Sequence, residues 1–193
     1  MQLIEQTLDA VNLGSSRSYA NMTVFPLTVG VMRRSDYDVL DDALEAGTAR
    51  VTEVSDSGSV PELRFDNLGE RPVLLLDGEE LVGAKQNRIL NLSILAPGQA
   101  SIAIPVSCVE AGRWGYRSRE FASSDRTHFS SGRASKSADV TASLSSSRTR
   151  RSRQRQVWAE ISEMMGSTQV TSETASMADI YETRSSKIGR AHV

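Results

Sequence analysis

Cysteine is nearly missing from this 193-residue chain: Cys108 stands alone, which excludes an internal disulfide framework. Histidine is almost as rare, with only His128 and His192. A His/Cys metal site is therefore not expected, and neither is a cofactor. Aromatic residues make up 5% of the chain, too few for a surface that stacks successive bases or sugars. No apolar run approaches the ~20 residues that a membrane helix needs. The start, Met1-Gln2-Leu3-Ile4-Glu5, lacks the basic and apolar stretches of a secretory signal. These absences predict a cytoplasmic protein without a membrane partner.

What is present suits a globular domain with a sizeable core: 39% hydrophobic and 24% charged residues. The charge is uneven. Residues 1–110 carry 8 basic and 16 acidic side chains, whereas residues 111–193 carry 14 and 8. Such a chain can dock one half on the other or offer a basic tail to a polyanion; an unevenly charged, solvated surface is the plainer alternative. The last six residues, Ile188-Gly189-Arg190-Ala191-His192-Val193, are what ATC GGA AGA GCA CAC GTC encodes, the start of a common short-read sequencing adapter. Residues 188–193 therefore read as an artefact and the chain as C-terminally truncated, which leaves His128 as the one working histidine.

Along the chain, residues 1–20 read as a loosely held, polar lead-in and residues 21–114 as a β-rich core. Asn21–Val31 alternates and predicts a first strand. Ser35 and Asp38 form a box-like helix start, Tyr37, Leu40 and Leu44 share a helical face, and Gly47 ends it. Strands are predicted over Arg50–Val54, Leu63–Phe65, Val73–Leu76, Arg88–Leu95 and the Ile102–Val106 stretch. Asp77-Gly78 between them gives a hairpin-type turn signal. Pro105 cannot donate to a ladder, so its strand is expected at an edge or bulge. Residues 115–155, rich in Ser and Arg, read as a long loop or linker. Residues 156–187 read as helical: Val157, Trp158, Ile161, Met164 and Met165 form an apolar stripe, and a second short helix is predicted near Ser172–Tyr181. The expected fold is α+β, an antiparallel β-sandwich or barrel-like core with a short N-terminal helix and C-terminal helices. If the chain is cut, some of Trp158, Ile161 and Met165 should be left uncovered.

The densest polar chemistry runs from Asp77 to Arg88. Gly78 and Gly83 permit positive φ and close approach of backbone to a ligand. Lys85 and Arg88 can hold phosphate or carboxylate, and Gln86 and Asn87 can read amide or base edges. Glu79 and Glu80 are candidates for a general base. The glycine spacing fits neither standard phosphate-cradling loop, and a charged hairpin on a sheet rim is the simpler explanation. The second cluster closes Pro105–Trp114: Glu110 joins the candidate acids, and Arg113 and Trp114 are placed to hold or stack on a ligand. Cys108 continues the Ile102, Ile104, Val106 face and so should point inward, where a thiol is inert. Because Arg88–Leu95 and the following strand are expected to pair, the two clusters should meet, with Glu110 in reach of Lys85 or Arg88. Arg148, Arg150, Arg151, Arg153 and Arg155 can neutralise phosphates, but without interleaved aromatics they read better as a solvated helix entry, and nucleic acid is not the expected partner.

The stretches Val73–Arg88 and Ile104–Trp114, with Gln154–Trp158 and Thr174–Tyr181, resemble the ADP-ribosylglycohydrolase- and rhodanese-phosphatase-associated protein domain family over most of residues 20–185. Members usually continue through a further β-rich segment. The resemblance implies an accessory or ligand-binding domain near ADP-ribose or nucleotide metabolism, with an ADP-ribose-like small molecule as partner. A hydrolase or transferase using Glu79, Glu80 or Glu110 with Lys85 and Arg88 is the alternative, and nucleic-acid binding through Arg148–Arg155 a third.

Overall fold

The computed structural model describes residues 2–30 and 35–183; the adapter-like residues 188–193 lie outside them. Two units result, Met1–Ser35 and Asp36–Val193. The first holds helix α1 (Gln2–Asp9) and strands β1 (Val11–Leu13), β2 (Arg17–Tyr19), β3 (Met22–Val24) and β4 (Leu27–Val29). Its strands nest antiparallel, β2 on β3 inside β1 on β4. The stretch expected as a loosely held lead-in thus holds a helix and two strands within residues 2–19, and the strand expected over Asn21–Val31 is two short ones, with Val31 outside the described residues.

The second unit opens with β5 (Asp38–Val39) and α2 (Leu40–Glu45). The helix starts after Val39, not at Ser35, and carries no side-chain cap. Leu40 and Ala43 are its buried face, while Asp38 and Val39 pair in parallel with Val73 and Leu74. Strands β6 (Ala49–Glu53), β7 (Glu62–Asn67), β8 (Val73–Leu75), β9 (Glu79–Gly83), β10 (Arg88–Leu90), β11 (Ile94–Ala96), β12 (Ala100–Cys108) and β13 (Glu120–Thr127) follow, then α3 (Ser130–Ser147), α4 (Gln154–Thr168) and α5 (Met177–Glu182). Six strands close a barrel in the order β10-β12-β7-β6-β13-β9, and every pair is antiparallel. The α+β class with a barrel core, a short helix before it and helices after it is therefore the observed architecture.

Period-two alternation fills the barrel. Val51, Leu63, Phe65, Leu81, Leu90, Ile104, Val106 and Phe121 form one buried cluster, and each such side chain stabilises by about 1.5–3 kcal/mol. The opposite faces of β10 and the β12 exit present Ile89 and Val109 to α4 and α5, where Val157, Ile161, Met165, Met177 and Ile180 complete a second core. Of the three residues singled out on the helical stripe, Ile161 and Met165 are buried and Trp158 keeps partial exposure. No described helix is long and apolar enough to cross a membrane.

Four local expectations change. The run Arg88–Leu95 is not one strand. Asn91 makes the last backbone bond to β12, its N–H donating to the Pro105 carbonyl, while its side chain donates to the Arg150 carbonyl and accepts from the Ser107 hydroxyl, and β11 joins β8 in a separate sheet. Asp77-Gly78 closes no hairpin but carries the chain from that sheet into the barrel. Pro105 sits inside a central strand, paired with Glu62 on one side and accepting from the Asn91 N–H on the other; the Asn91 carbonyl that faces it takes its hydrogen bond from Lys136. The expected 115–155 loop holds β13 and the 18-residue α3. The buried face of α3 is Gly132, Lys136 and Val140, one turn apart, with Lys136 donating to Asp77 and to the Leu90 and Asn91 carbonyls. A helix that docks through glycine and an ammonium shows no apolar stripe.

Candidate functional site

The two polar clusters meet, as the β10–β12 register requires: Arg88 lies opposite Cys108 and Ile89 opposite Ser107. Beyond the ladder, Val109 donates its N–H to the Asn87 carbonyl at 3.0 Å, and Gln86 Nε2 donates to the Glu110 carbonyl at 2.9 Å. The Asn87 N–H reaches the Glu110 carboxylate at 3.1 Å. Arg113 then ties both segments together. Its guanidinium donates to Glu110 Oε2 at 2.6 Å, Asn87 Oδ1 at 3.1 Å, and the Ala84, Gly83 and Gly115 carbonyls.

Glu110 is the centre of this arrangement and is fully buried. Its other oxygen accepts from the Thr174 hydroxyl at 2.9 Å and lies 3.7 Å from Arg117. Burial alone would raise its carboxyl, but Arg113, the Asn87 N–H and Thr174 together hold it below the usual carboxylate range. It is an ionised anchor with no proton to give. Its predicted partners, Lys85 and Arg88, are elsewhere, because Arg113 and Arg117 approach from the nearer chain.

The C-terminal segment reaches this rim as a strap. Gly112 donates to the Thr174 carbonyl at 2.7 Å, Met177 donates to the Val109 carbonyl at 2.9 Å, and Glu110 bridges Ser176. Between strap and barrel lies a concave cavity of about 640 Å³ whose wall includes Gly83, Asn87, Glu110, Arg117, Arg126 and Asp179. Gly83 is required at this rim: φ is +126°, and a Cβ would come 2.6 Å from the Ser118 hydroxyl and 2.8 Å from the Glu120 carbonyl. Arg126 is held by Glu182 at 3.2 Å and by the Ala178 carbonyl at 3.1 Å, with Glu80 3.7 Å behind it. Glu80 is buried beneath this wall. Burial pushes its carboxyl up, Ser124 and Arg126 oppose the shift, and the nearby Glu110 charge adds to it.

The other sequence candidates separate. Gln86 and Arg113 support the rim without lining the cavity. Lys85 and Trp114 stand to one side, the Lys85 ammonium 5.3 Å from the Trp114 ring and 4.9 Å from Tyr116. Arg88 points into the barrel with no exposure, donating to Gln86 Oε1 at 2.9 Å and lying 4.0 Å from Glu53. Cys108 faces inward as expected, but against Gln86 Oε1 at 3.1 Å rather than among apolar side chains; burial pushes its thiol up, with the Arg88 charge opposing. Gly78 and Glu79 lie at the far end of β9, where the Glu79 carboxylate accepts from the Leu76 N–H. Arg117, Arg126, Thr174 and Asp179 were missed. They come from segments read as loop or helix, and only the resemblance at Thr174–Tyr181 hinted at them. Of the arginine run, Arg148 to Arg153 lie in the α3–α4 connection and Arg155 in the first turn of α4; Arg153 pairs with Asp139 at 2.7 Å and Arg148 caps α3 in a left-handed conformation. Among the described residues, no group of three or more His, Cys, Asp or Glu side chains is arranged to hold a metal ion.

Comparison with the curated proteins finds no match, and comparison with solved structures finds none either. A family match does cover the barrel, the strap and the helices between them, spanning residues 10–192. The chain belongs to the ARG and Rhodanese-Phosphatase-superfamily-associated Protein domain family.

Proposed function

We propose that this domain is a ligand-binding module, accessory to enzymes of ADP-ribose or nucleotide metabolism, and that it holds a small phosphorylated polyol of the ADP-ribose type. The observation carrying this reading is the 640 Å³ cavity itself, where Gly83, Asn87 and Glu110 of the barrel rim face Arg117, Arg126 and the strap. Its volume falls in the range of small-molecule sites. Arg117 is largely exposed and lies on the wall, suited to a phosphate. Asp179 and Glu182, also on the wall, suit the hydroxyls of a sugar. Glu110 already accepts from Asn87, Arg113 and Thr174, which supports a fixed wall for binding. Nucleic acid is the weaker reading, because Arg153 is committed to Asp139.

Isothermal titration calorimetry with ADP-ribose tests the proposal. Micromolar to submillimolar binding is expected, weakened about tenfold or more by Arg117→Ala. No heat at millimolar ligand would overturn it. A hydrolase or transferase is the second reading, favoured by two neighbouring carboxyls shifted in opposite directions, Glu80 up and Glu110 down. It requires turnover of an ADP-ribosyl or phosphoester substrate that Glu80→Gln abolishes.

A further inference from the structure

At one end of the barrel the interior changes from apolar to charged. The inward faces run Ala49, Val51, Glu53 on β6, Leu90, Arg88 on β10 and Ile104, Val106, Cys108 on β12. The Glu53 side chain keeps 4% of its exposure, yet neither of its carboxylate oxygens has a hydrogen-bond partner. Arg88, at 4.0 Å, balances its charge but leaves both oxygens as acceptors with nothing donating to them. A buried carboxylate in that state is costly to maintain, and its bare acceptors call for a donor from outside the barrel.

A cavity of about 740 Å³ adjoins this end, lined by Glu53, Asp56, Tyr116, Arg117, Arg119 and neighbouring residues. Lys85 and the Tyr116 hydroxyl both donate to the Asp56 carbonyl, which fixes the wall. The Tyr116 ring is half exposed. Arg117 lines this cavity and the one at the strap, so the two share a cationic wall.

We propose that the barrel-mouth cavity is a base subsite, taking the amino-bearing ring of a nucleoside diphosphate whose exocyclic N–H groups satisfy Glu53. The ring packs on Tyr116, the diphosphate sits at Arg117 between the cavities, and the sugar beyond it enters the strap cavity. Barrel mouths are common sites for small ligands, aromatic faces stack bases, and a carboxylate is the natural acceptor for an exocyclic amine. This inference rests on the polyol reading above, since it places the other half of the same ligand.

The test titrates ADP-ribose, AMP and ribose 5-phosphate into the parent, Glu53→Gln and Tyr116→Ala, with circular dichroism confirming each fold. ADP-ribose should bind more tightly than either fragment. Both substitutions should weaken ADP-ribose and AMP about tenfold or more and leave ribose 5-phosphate unchanged. Tyr116→Ala keeps the test open if the buried Glu53 substitution fails to fold. If ADP-ribose and ribose 5-phosphate bind the parent but Tyr116→Ala leaves ADP-ribose affinity intact, the base subsite is wrong and the polyol site stands. If AMP binds and is weakened while ribose 5-phosphate does not bind, the base subsite survives and the polyol reading fails.

Discussion

Replacing Arg113 by Ala removes the guanidinium that joins the 83–87 turn to the 110–115 strand exit. Five acceptors lose a donor: the Glu110 carboxylate, the Asn87 side chain, and the carbonyls of Gly83, Ala84 and Gly115. The Ala84 carbonyl keeps the Arg117 N–H, and Glu110 keeps Asn87 and Thr174, so the loss is smaller than five separate bonds. Breaking a buried ion pair by removing one partner costs about 3–5 kcal/mol, which for a domain of this size lowers the melting temperature by roughly 10 °C. The loss should depend on pH. In the parent, Glu110 is held below its ordinary value, so its contribution is in place above about pH 4.3 and fades as pH falls through the lowered native value. Without Arg113, burial dominates and raises the native value, so acidification favours the variant's folded state. Urea unfolding at several pH values should show the stability gap narrowing from pH 7 toward pH 4. A gap below about 1 kcal/mol at pH 7, or one that does not change with pH, would refute the reasoning.

Two further outcomes follow from other parts of the unit. His128, buried and next to Phe129, is pushed down to about 4 by burial first and by the Lys136 charge second. The unfolded chain therefore takes up that proton first, and stability should fall as pH drops from about 6.5 to about 4; an NMR titration of the His128 ring near 6.5 would contradict this. Gly112→Ala puts a Cβ 2.9 Å from the Thr174 Cα and 3.1 Å from its carbonyl group, which is backbone and cannot swing away. Overpacking of this kind costs about 1–3 kcal/mol, and hydrogen exchange should show faster opening of residues 171–176; unchanged protection there would mean the strap is not seated on Gly112.

The barrel was legible because its strands obey period two. Val51, Leu63, Phe65, Ile104 and Val106 can be seen alternating with polar neighbours, and turn residues separate the runs. The meeting of the two polar clusters was also legible, since antiparallel pairing puts the start of β10 beside the end of β12 whatever surrounds them. The partners were not. Glu110 chooses Arg113 over Lys85 or Arg88 because a short strand exit brings i and i+3 together, a detail of backbone direction that residue types do not encode. The strap and α3 were hidden for a different reason. Their docking uses Gly112, Gly132, Lys136 and Thr174, whose contribution is close approach or a hydrogen bond to a carbonyl or carboxylate. Arg117 and Arg126 were lost with them, as members of a Ser/Arg-rich stretch that looked solvated.

A phosphorylated polyol is proposed to occupy the cavity between the barrel rim and the strap. The most direct test is a crystal structure grown with millimolar ADP-ribose. Density is expected with a phosphate within ion-pair distance of Arg117 and a ribose against Asn87 and Asp179. Ligand density that leaves this cavity unfilled, such as along residues 148–155, or an empty cavity in crystals that diffract well, would contradict it.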